Sequence, residues 1–591
     1  MEMQELQQAS RSLLPGEFAA QLDLTWRRAP AAPAEPLDAV PEEAWPVWRA
    51  EDSHHCRSRD PIWVYADLVW PERFEGVELA GTVGRIFIWG YSPFTLYIDG
   101  EEQWAEQHVW HATSGIADPL PMPIEPGRRH RLVLKVEPTA FPVGMALAQV
   151  FIQYQACHDI GIELAALHAQ LALARMLGFD GLVRRALDCL DEIDLAERRW
   201  PRVLEQCRRA EALLEEQREA AKALRVHLVG HAHIDMDWMW SWTDTVHCVR
   251  RDFTAVADLL EDHPEACFSA SQVPCYEVSK THDPDVFERI RRHVASGRWE
   301  VAAGTWVEGD LAMADGEALV RQIQLARDWC TAELGKTSRV FWAPDTFSHP
   351  PNLPQIARLG GMDHYFHWRC NPTAAGEEAG CPARTWRGCD GTNILVLSKA
   401  YTSNLHPEEL VKALRDAIAN GHDTAFHIWG LGDHGGGLPR RWLDLLGRIR
   451  ERPLMPTLVF SGIGAAADAL RSRVRLVQDT EVPPLFEGCF TTHAELKAGN
   501  RHAEQALLAA EQALALAGHD AACLHASWRD VCFNQFHDIL CGCCVPESAA
   551  AAAARYDKAA TYAHEQRVEA LHHVSEAEAD TIMVHDPVGQ P

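Results

Sequence analysis

Val226-His227-Leu228-Val229-Gly230-His231-Ala232-His233-Ile234-Asp235-Met236-Asp237-Trp238-Met239-Trp240-Ser241-Trp242 is the stretch on which the reading of this 591-residue chain turns. It opens as a short apolar strand, Val226 to Val229, and stops at Gly230. His231, His233 and Asp235 follow at a spacing of two, so in an extended segment they point to one side. Two imidazoles and a carboxylate on one side of a strand end make a partial shell for a zinc-like divalent cation. Trp238, Trp240 and Trp242 come next, and flat aromatic faces beside polar ligands suit a sugar ring. The same spacing also fits a buried strand end with surface histidines, or a metal-dependent hydrolase of another class. The rest of the chain decides.

Length calls for about three structural units with ample core. Apolar residues make up 47% and charged residues 24%, the proportions of a soluble globular protein. A net charge of −29 argues against nucleic acid and anionic membrane as partners and suits an enzyme of neutral or cationic ligands. The 17 cysteines are scattered and odd in number. With no signal peptide over residues 1–21 and no membrane-length apolar run, they read as reduced thiols of a cytoplasmic protein. Cys541, Cys543 and Cys544 cluster most densely; buried free thiols are the expectation, a second metal site the rival.

Pattern along the chain predicts a multidomain α/β protein. Residues 1–40 read as an arm, a short helix-like start followed by the Ala/Pro-rich Ala29–Pro36. Residues 41–159 alternate in short segments such as Ile62–Ala66, Ile86–Trp89, Thr95–Ile98 and Arg131–Val136. With turn signals at Asp99-Gly100 and Pro126-Gly127, they predict a β-sandwich. Residues 160–222 carry a helical period and form a linker. Over residues 223–480 apolar strands alternate with helices, including Pro284–Ser296, Gly316–Leu334 and Leu353–Leu359. This predicts a parallel-sheet α/β catalytic domain whose site lies at the strand C-terminal ends. Residues 481–591 read as a helical domain contributing to the site.

Further polar clusters fall just after predicted strands. They are Gly304-Thr305-Trp306-Val307-Glu308-Gly309-Asp310, Trp342-Ala343-Pro344-Asp345-Thr346-Phe347-Ser348-His349, and Gly430-Leu431-Gly432-Asp433-His434-Gly435-Gly436-Gly437. The glycines of the last permit close backbone approach to a ligand and leave Asp433 and His434 as its ionisable groups. A phosphate cradle is the rival, but no Lys-Ser/Thr follows. Singly, each loop aspartate is more often a helix cap or turn former. Together they fall in strand-end register.

With Thr491-Thr492-His493-Ala494 and Asn534-Gln535-Phe536-His537-Asp538-Ile539-Leu540, these motifs resemble the family 38 glycoside hydrolases, the retaining α-mannosidases. The resemblance spans roughly 225–545, and the N-terminal part is similar to the family's cytosolic branch. It implies a Zn2+ cofactor, or another divalent cation such as Co2+, with His233, Asp235 and Asp310 as ligands. Asp310 is also the implied nucleophile. Asp433 is the implied general acid/base, with His434 the weaker candidate and a substrate contact. Trp238 and Asp345 are the implied substrate-binding residues. Where the cytosolic branch carries a fourth histidine ligand this chain has Phe486; His493 is the substitute ligand, or else a polar residue at a helix start. Family members continue into C-terminal β domains that help close the site, and this chain ends at Pro591, where that part is expected to begin.

The function expected is hydrolysis of terminal α-mannosides, free or in oligosaccharides, through a glycosyl-enzyme intermediate on Asp310. The alternatives are a metal-dependent amidohydrolase or deacetylase, and a truncated carbohydrate-binding protein without turnover. The expected partners are the mannoside, with no nucleic acid and no membrane. A homo-oligomer, or a second chain supplying the C-terminal domains, is left open.

Overall fold

The computed structural model describes residues 2–14, 24–28, 46–47, 61–90, 94–106, 111–112, 120–137, 148–191, 195–370, 383–432, 435–474, 477–478, 482 and 484–574. The chain divides into two compact units, one of residues 1–233 with 402–460, the other of 234–401 with 461–591.

The first unit begins with a helix, Met3–Leu13, laid against the long helix Gln155–Met176. Ser10 donates to the Gly161 carbonyl over 3.1 Å, and only a residue without a side chain fits there, because a Cβ on Gly161 would meet Leu14 at 2.5 Å. The helical part of the expected N-terminal arm is therefore packed; the Ala29–Pro36 stretch lies outside the described residues.

Two antiparallel sheets follow. In one, Ile62–Val69 pairs with Arg129–Val136, which pairs with Phe94–Ile98. In the other, Val83–Gly90 pairs with Ala148–Tyr154 and Leu120–Pro123. Alternation is clearest in Phe94–Ile98, where Phe94, Leu96 and Ile98 are buried between half-buried neighbours. Asp99 and Gly100 turn this strand into Glu101–Glu106 with φ of +51° and +86°, the pair of positive angles a two-residue hairpin turn requires. The Asp99 carboxylate also accepts from the Arg131 amide over 2.8 Å and contacts His130 Nδ1 at 2.7 Å.

The same unit holds a parallel set in which Arg225–Gly230 is flanked by Thr424–Trp429 and Thr457–Phe460. Every residue of Thr424–Trp429 is buried, as expected of a parallel strand covered on both faces. Helices Pro407–Ala419 and Arg440–Ile449 precede its second and third strands in sequence.

The second unit contains a parallel pair, Phe268–Ala270 with Trp299–Val301. It also contains a sheet ordered Val340–Ala343, His364–His367, Asn393–Ser398, Ala383–Arg387, Val477–Gln478. The first three strands are parallel, but Ala383–Arg387 runs antiparallel to Asn393–Ser398. The sheet is thus mixed, because the turn Gly388–Thr392 is too short for a crossover; the Gly388 amide donates to the Thr392 carbonyl over 2.8 Å. Helix Gly316–Leu334 occupies the predicted span. Asp315 caps its first turn through the Ala318 amide at 2.7 Å, and left-handed Gly335 ends it. The C-terminal region is helical as expected, with Ala494–Leu516 packed along Pro546–Val574 and the shorter His525–Asn534 and His537–Cys541 beside them. Among the described residues no helix is long and apolar enough to cross a membrane.

Candidate metal centre and active site

The first segment of the first unit ends at His233, inside the stretch Val226–Trp242. The strand Arg225–Gly230 continues into His231, whose amide donates to the Trp429 carbonyl over 2.9 Å, and then into buried His233. The glycine-rich loop folds onto this segment. A Cβ at Gly430, where φ is +136°, would lie 1.8 Å from the His231 carbonyl oxygen, and the Gly435 amide donates to the His233 carbonyl over 3.0 Å. The close approach that these glycines permit is therefore to the chain's own strand end. Asp433 and His434 fall outside the described residues.

In the second unit three buried groups converge. Asp235, Asp345 and His537 each offer one donor atom, and these atoms lie within 4.8 Å of one another. Nε2 of His537 lies 3.3 Å from Asp235 Oδ1, 3.8 Å from Asp345 Oδ2 and 3.6 Å from Asp538 Oδ2. The opposite ring nitrogen, Nδ1, rests 2.7 Å from the Glu308 carbonyl oxygen. A carbonyl can only accept, so Nδ1 carries the hydrogen and the neutral ring turns a bare Nε2 to the carboxylates.

Burial opposes a charge on this ring, but Asp538, Asp235 and Asp345 around it outweigh that and push its pKa up to about 10. A proton and a divalent cation are alternative ways to neutralise the same carboxylates. Imidazole nitrogen with carboxylate oxygens is a donor set for a borderline divalent ion, and the Nδ1–carbonyl contact is the outer support such ligands use. The residues fit a cation. Asp345, read from sequence as a substrate contact, is thus drawn into the cation group. Arg369 pairs with its other oxygen and lies over the Trp368 ring at 5.0 Å.

Asp310 sits in the same unit but outside that group of three. Its Oδ1 accepts from the amides of Ala312 and Met313 over 2.9 and 2.8 Å. Its Oδ2 is buried with no hydrogen-bond partner among the described residues. Burial raises its pKa, and the two amides, His537 and Lys497 act against that. One oxygen held and the other bare is the arrangement a carboxylate nucleophile needs.

A buried polar network sets the Asp310 loop. The Asp310 amide donates to the Gln535 carbonyl over 2.8 Å. The Gln535 side chain donates to Asn500 Oδ1 at 3.1 Å and Glu504 Oε1 at 3.0 Å, and accepts from Gln322 at 3.1 Å. Gln322 in turn accepts the Val307 amide over 3.1 Å. Sequence reasoning assigned no role to Gln535, Glu504, Gln322 or His537. His537 lies 302 positions from Asp235, so no local spacing rule connects them; its place inside the Asn534–Leu540 motif was the available signal.

Two further expected site residues lie outside the cation group. Trp238 is half-buried, its ring edge-on to Trp240 with centroids 5.7 Å apart, and its carbonyl accepts the Val545 amide over 2.8 Å. His493 is not gathered with the cation group. It is exposed at the start of helix Ala494–Leu516, with φ of +48° and Nδ1 2.8 Å from the Glu495 carboxylate, so the helix-start reading describes it. Phe486 is half-exposed and packs edge-on to Phe347 at 5.2 Å.

Comparison with known proteins defines the class. Residues 223–488 match the Glycosyl hydrolases family 38 N-terminal domain, and residues 484–574 match the Alpha mannosidase middle domain. The chain belongs to the family 38 glycoside hydrolases. It is 33% identical to Alpha-mannosidase 2C1 of Homo sapiens over 354 residues, 56% of this chain and 33% of that protein. It is 26% identical to an Alpha-mannosidase of Saccharomyces cerevisiae over 431 residues, 67% of this chain and 39% of that one. The match thus spans about a third of the length of these curated relatives. Among solved structures, an alpha-mannosidase from Enterococcus faecalis V583 shares the fold at a TM-score of 0.53 and 18% identity, over 60% of this chain and 43% of that one.

Proposed function

We propose that this chain hydrolyses terminal α-mannosides with retention of configuration at the anomeric carbon. The observation that carries the reading is Asp310, buried with one oxygen fixed by two amides and the other bare, in the unit that gathers Asp235, Asp345 and His537. His233, two residues before Asp235 in sequence and a ligand implied by the motif, keeps that role in this reading, and His537 replaces His493. A divalent cation held by these residues, zinc in this reading, supplies Lewis-acid charge for the sugar hydroxyls.

The residues divide the rest of the work. Oδ2 of Asp310 attacks the anomeric carbon, and the bond to the leaving oxygen breaks as Asp433 gives that oxygen a proton. A glycosyl ester on Asp310 results. Asp433, now a carboxylate, takes a proton from water as the water oxygen adds to the anomeric carbon, and the Asp310 carboxylate departs. The Ala312 and Met313 amides hold Oδ1 through both steps and favour Asp310 as a leaving carboxylate. The half-buried face of Trp238 supports the sugar ring. His434 contacts substrate in this reading, and Arg369 holds Asp345. The described cysteines are free thiols, which supports a reducing, cytoplasmic setting.

The test is release of nitrophenol from a nitrophenyl α-mannoside by the full chain. Asp310→Ala is expected to lose at least about 1,000-fold in kcat with unchanged circular dichroism. Wild-type turnover in that variant overturns the reading.

A further inference from the structure

Beyond His537 the chain assembles a second group of donors that the mannosidase reading leaves unused. The short helix His537–Cys541 stops at Gly542, where φ is +79°. Across that turn Cys543 Sγ lies 2.9 Å from Asp538 Oδ1, and Cys541 Sγ lies 3.2 Å from Cys543 Sγ. Donor atoms of Asp538, Cys541 and Cys543 all lie within 4.8 Å of one another. Cys489 comes from a separate segment and hydrogen-bonds Cys541. Gly542 brings that segment in, since a Cβ there would lie 2.9 Å from His493 Cβ and 3.0 Å from the Thr492 carbonyl oxygen.

A second observation points to a ligand. Asp538 is 4% exposed, and its Oδ2 has no hydrogen-bond partner among the described residues; His537 Nε2 lies 3.6 Å from it. Its Oδ1 is met by a thiol, a weak donor. A carboxylate this deeply buried needs more compensation than a thiol hydrogen bond and one distant imidazole provide. Lys497, 2.9 Å from the Cys541 carbonyl oxygen, adds positive charge that favours thiolates.

We propose that Asp538, Cys541 and Cys543 form a thiolate-rich cation site, distinct from the Asp235, Asp345 and His537 group, for a borderline or soft divalent ion such as zinc or cadmium. Two sulfurs and one oxygen supply three of the four ligands of a tetrahedral shell. As each sulfur–metal bond forms, the thiol proton passes to solvent; no electron is transferred. Exposed Cys543 opens the entry path, while Cys541 and Asp538 are buried behind it.

The test adds cadmium to the reduced, metal-stripped full chain and follows the ultraviolet sulfur-to-cadmium charge-transfer band. The wild type is expected to develop the band, and Cys541→Ser/Cys543→Ser to lose at least about tenfold in its cadmium affinity. Cys543→Ser alone, at an exposed position, gives the same loss if the double variant fails to fold. His537→Ala and Cys389→Ser, the latter at an exposed thiol elsewhere, are expected to keep the band. A wild type without the band, or a band that survives Cys543→Ser unchanged, overturns the proposal; a band lost in His537→Ala overturns the independence of the two sites.

Discussion

The amide of Asp310 donates to the carbonyl of Gln535 over 2.8 Å, two residues before His537. One hydrogen bond thus ties the implied nucleophile to the loop that supplies the imidazole, and the Gln535 side chain anchors that loop to Asn500, Glu504 and Gln322. Gln535→Ala leaves buried polar groups without partners. It is expected to cost about 1–3 kcal/mol in urea unfolding and to lower kcat more than KM. A change within about 0.5 kcal/mol, the range of an ordinary surface substitution, contradicts the anchoring role.

Glu504, at the other end of this network, has its pKa raised by burial from the usual 4.5 to about 7. An acid whose folded pKa lies above its unfolded one binds an extra proton in the folded state. Its contribution is full below pH 4.5 and declines as pH climbs to about 7, by roughly 1.4 kcal/mol per unit, then levels off. Stability of the wild type minus that of Glu504→Gln, measured from pH 4 to pH 8, is expected to fall across that window. A difference that rises with pH has the wrong sign.

Glu300 joins strand Trp299–Val301 to helix Ile463–Leu470. Its carboxylate accepts from Ser269 at 2.7 Å and from the amides of Ile463 and Gly464 at 2.6 and 2.9 Å, capping that helix from outside its own sequence. Burial raises its pKa against these three donors. Glu300→Ala strips two helix amides and a hydroxyl of their acceptor at once and is expected to cost about 2–4 kcal/mol in urea unfolding. A loss below 1 kcal/mol, about what one exposed cap contributes, would falsify the assignment.

Gly430 is the residue the strand end least tolerates changing. A methyl there meets the His231 carbonyl oxygen at 1.8 Å, in a backbone conformation that L residues rarely adopt. Gly430→Ala is expected to abolish mannoside cleavage and to lower the melting temperature by several degrees. An active, equally stable variant means that the loop can move away from His231.

What sequence reveals here is what is local. Helices Gly316–Leu334 and Pro284–Ser296 were legible because apolar period, N-terminal signal and left-handed glycine stop agree within each segment. The Asp99-Gly100 hairpin was legible because two positive φ angles demand those residues. His364–His367 was not read, since four residues with histidine at both ends carry little strand signal, although all four are buried. The direction of Ala383–Arg387 depends on its pairing with Asn393–Ser398 and not on its composition. In the site, Asp235 and Asp310 stand out through motif spacing. His537 and its contact with the Glu308 carbonyl depend on chain segments 229 positions apart, and only nearness to an expected position marks His493 in the sequence.

Asp235, Asp345 and His537 are expected to hold one divalent cation through oxygen and imidazole nitrogen. Manganese, which prefers such donors to thiolates, reports on it by equilibrium dialysis against the metal-stripped full chain. One manganese per wild-type chain is expected, with an affinity at least about 100-fold weaker in His537→Ala. Undiminished manganese binding in that variant, with its circular dichroism unchanged, would contradict it.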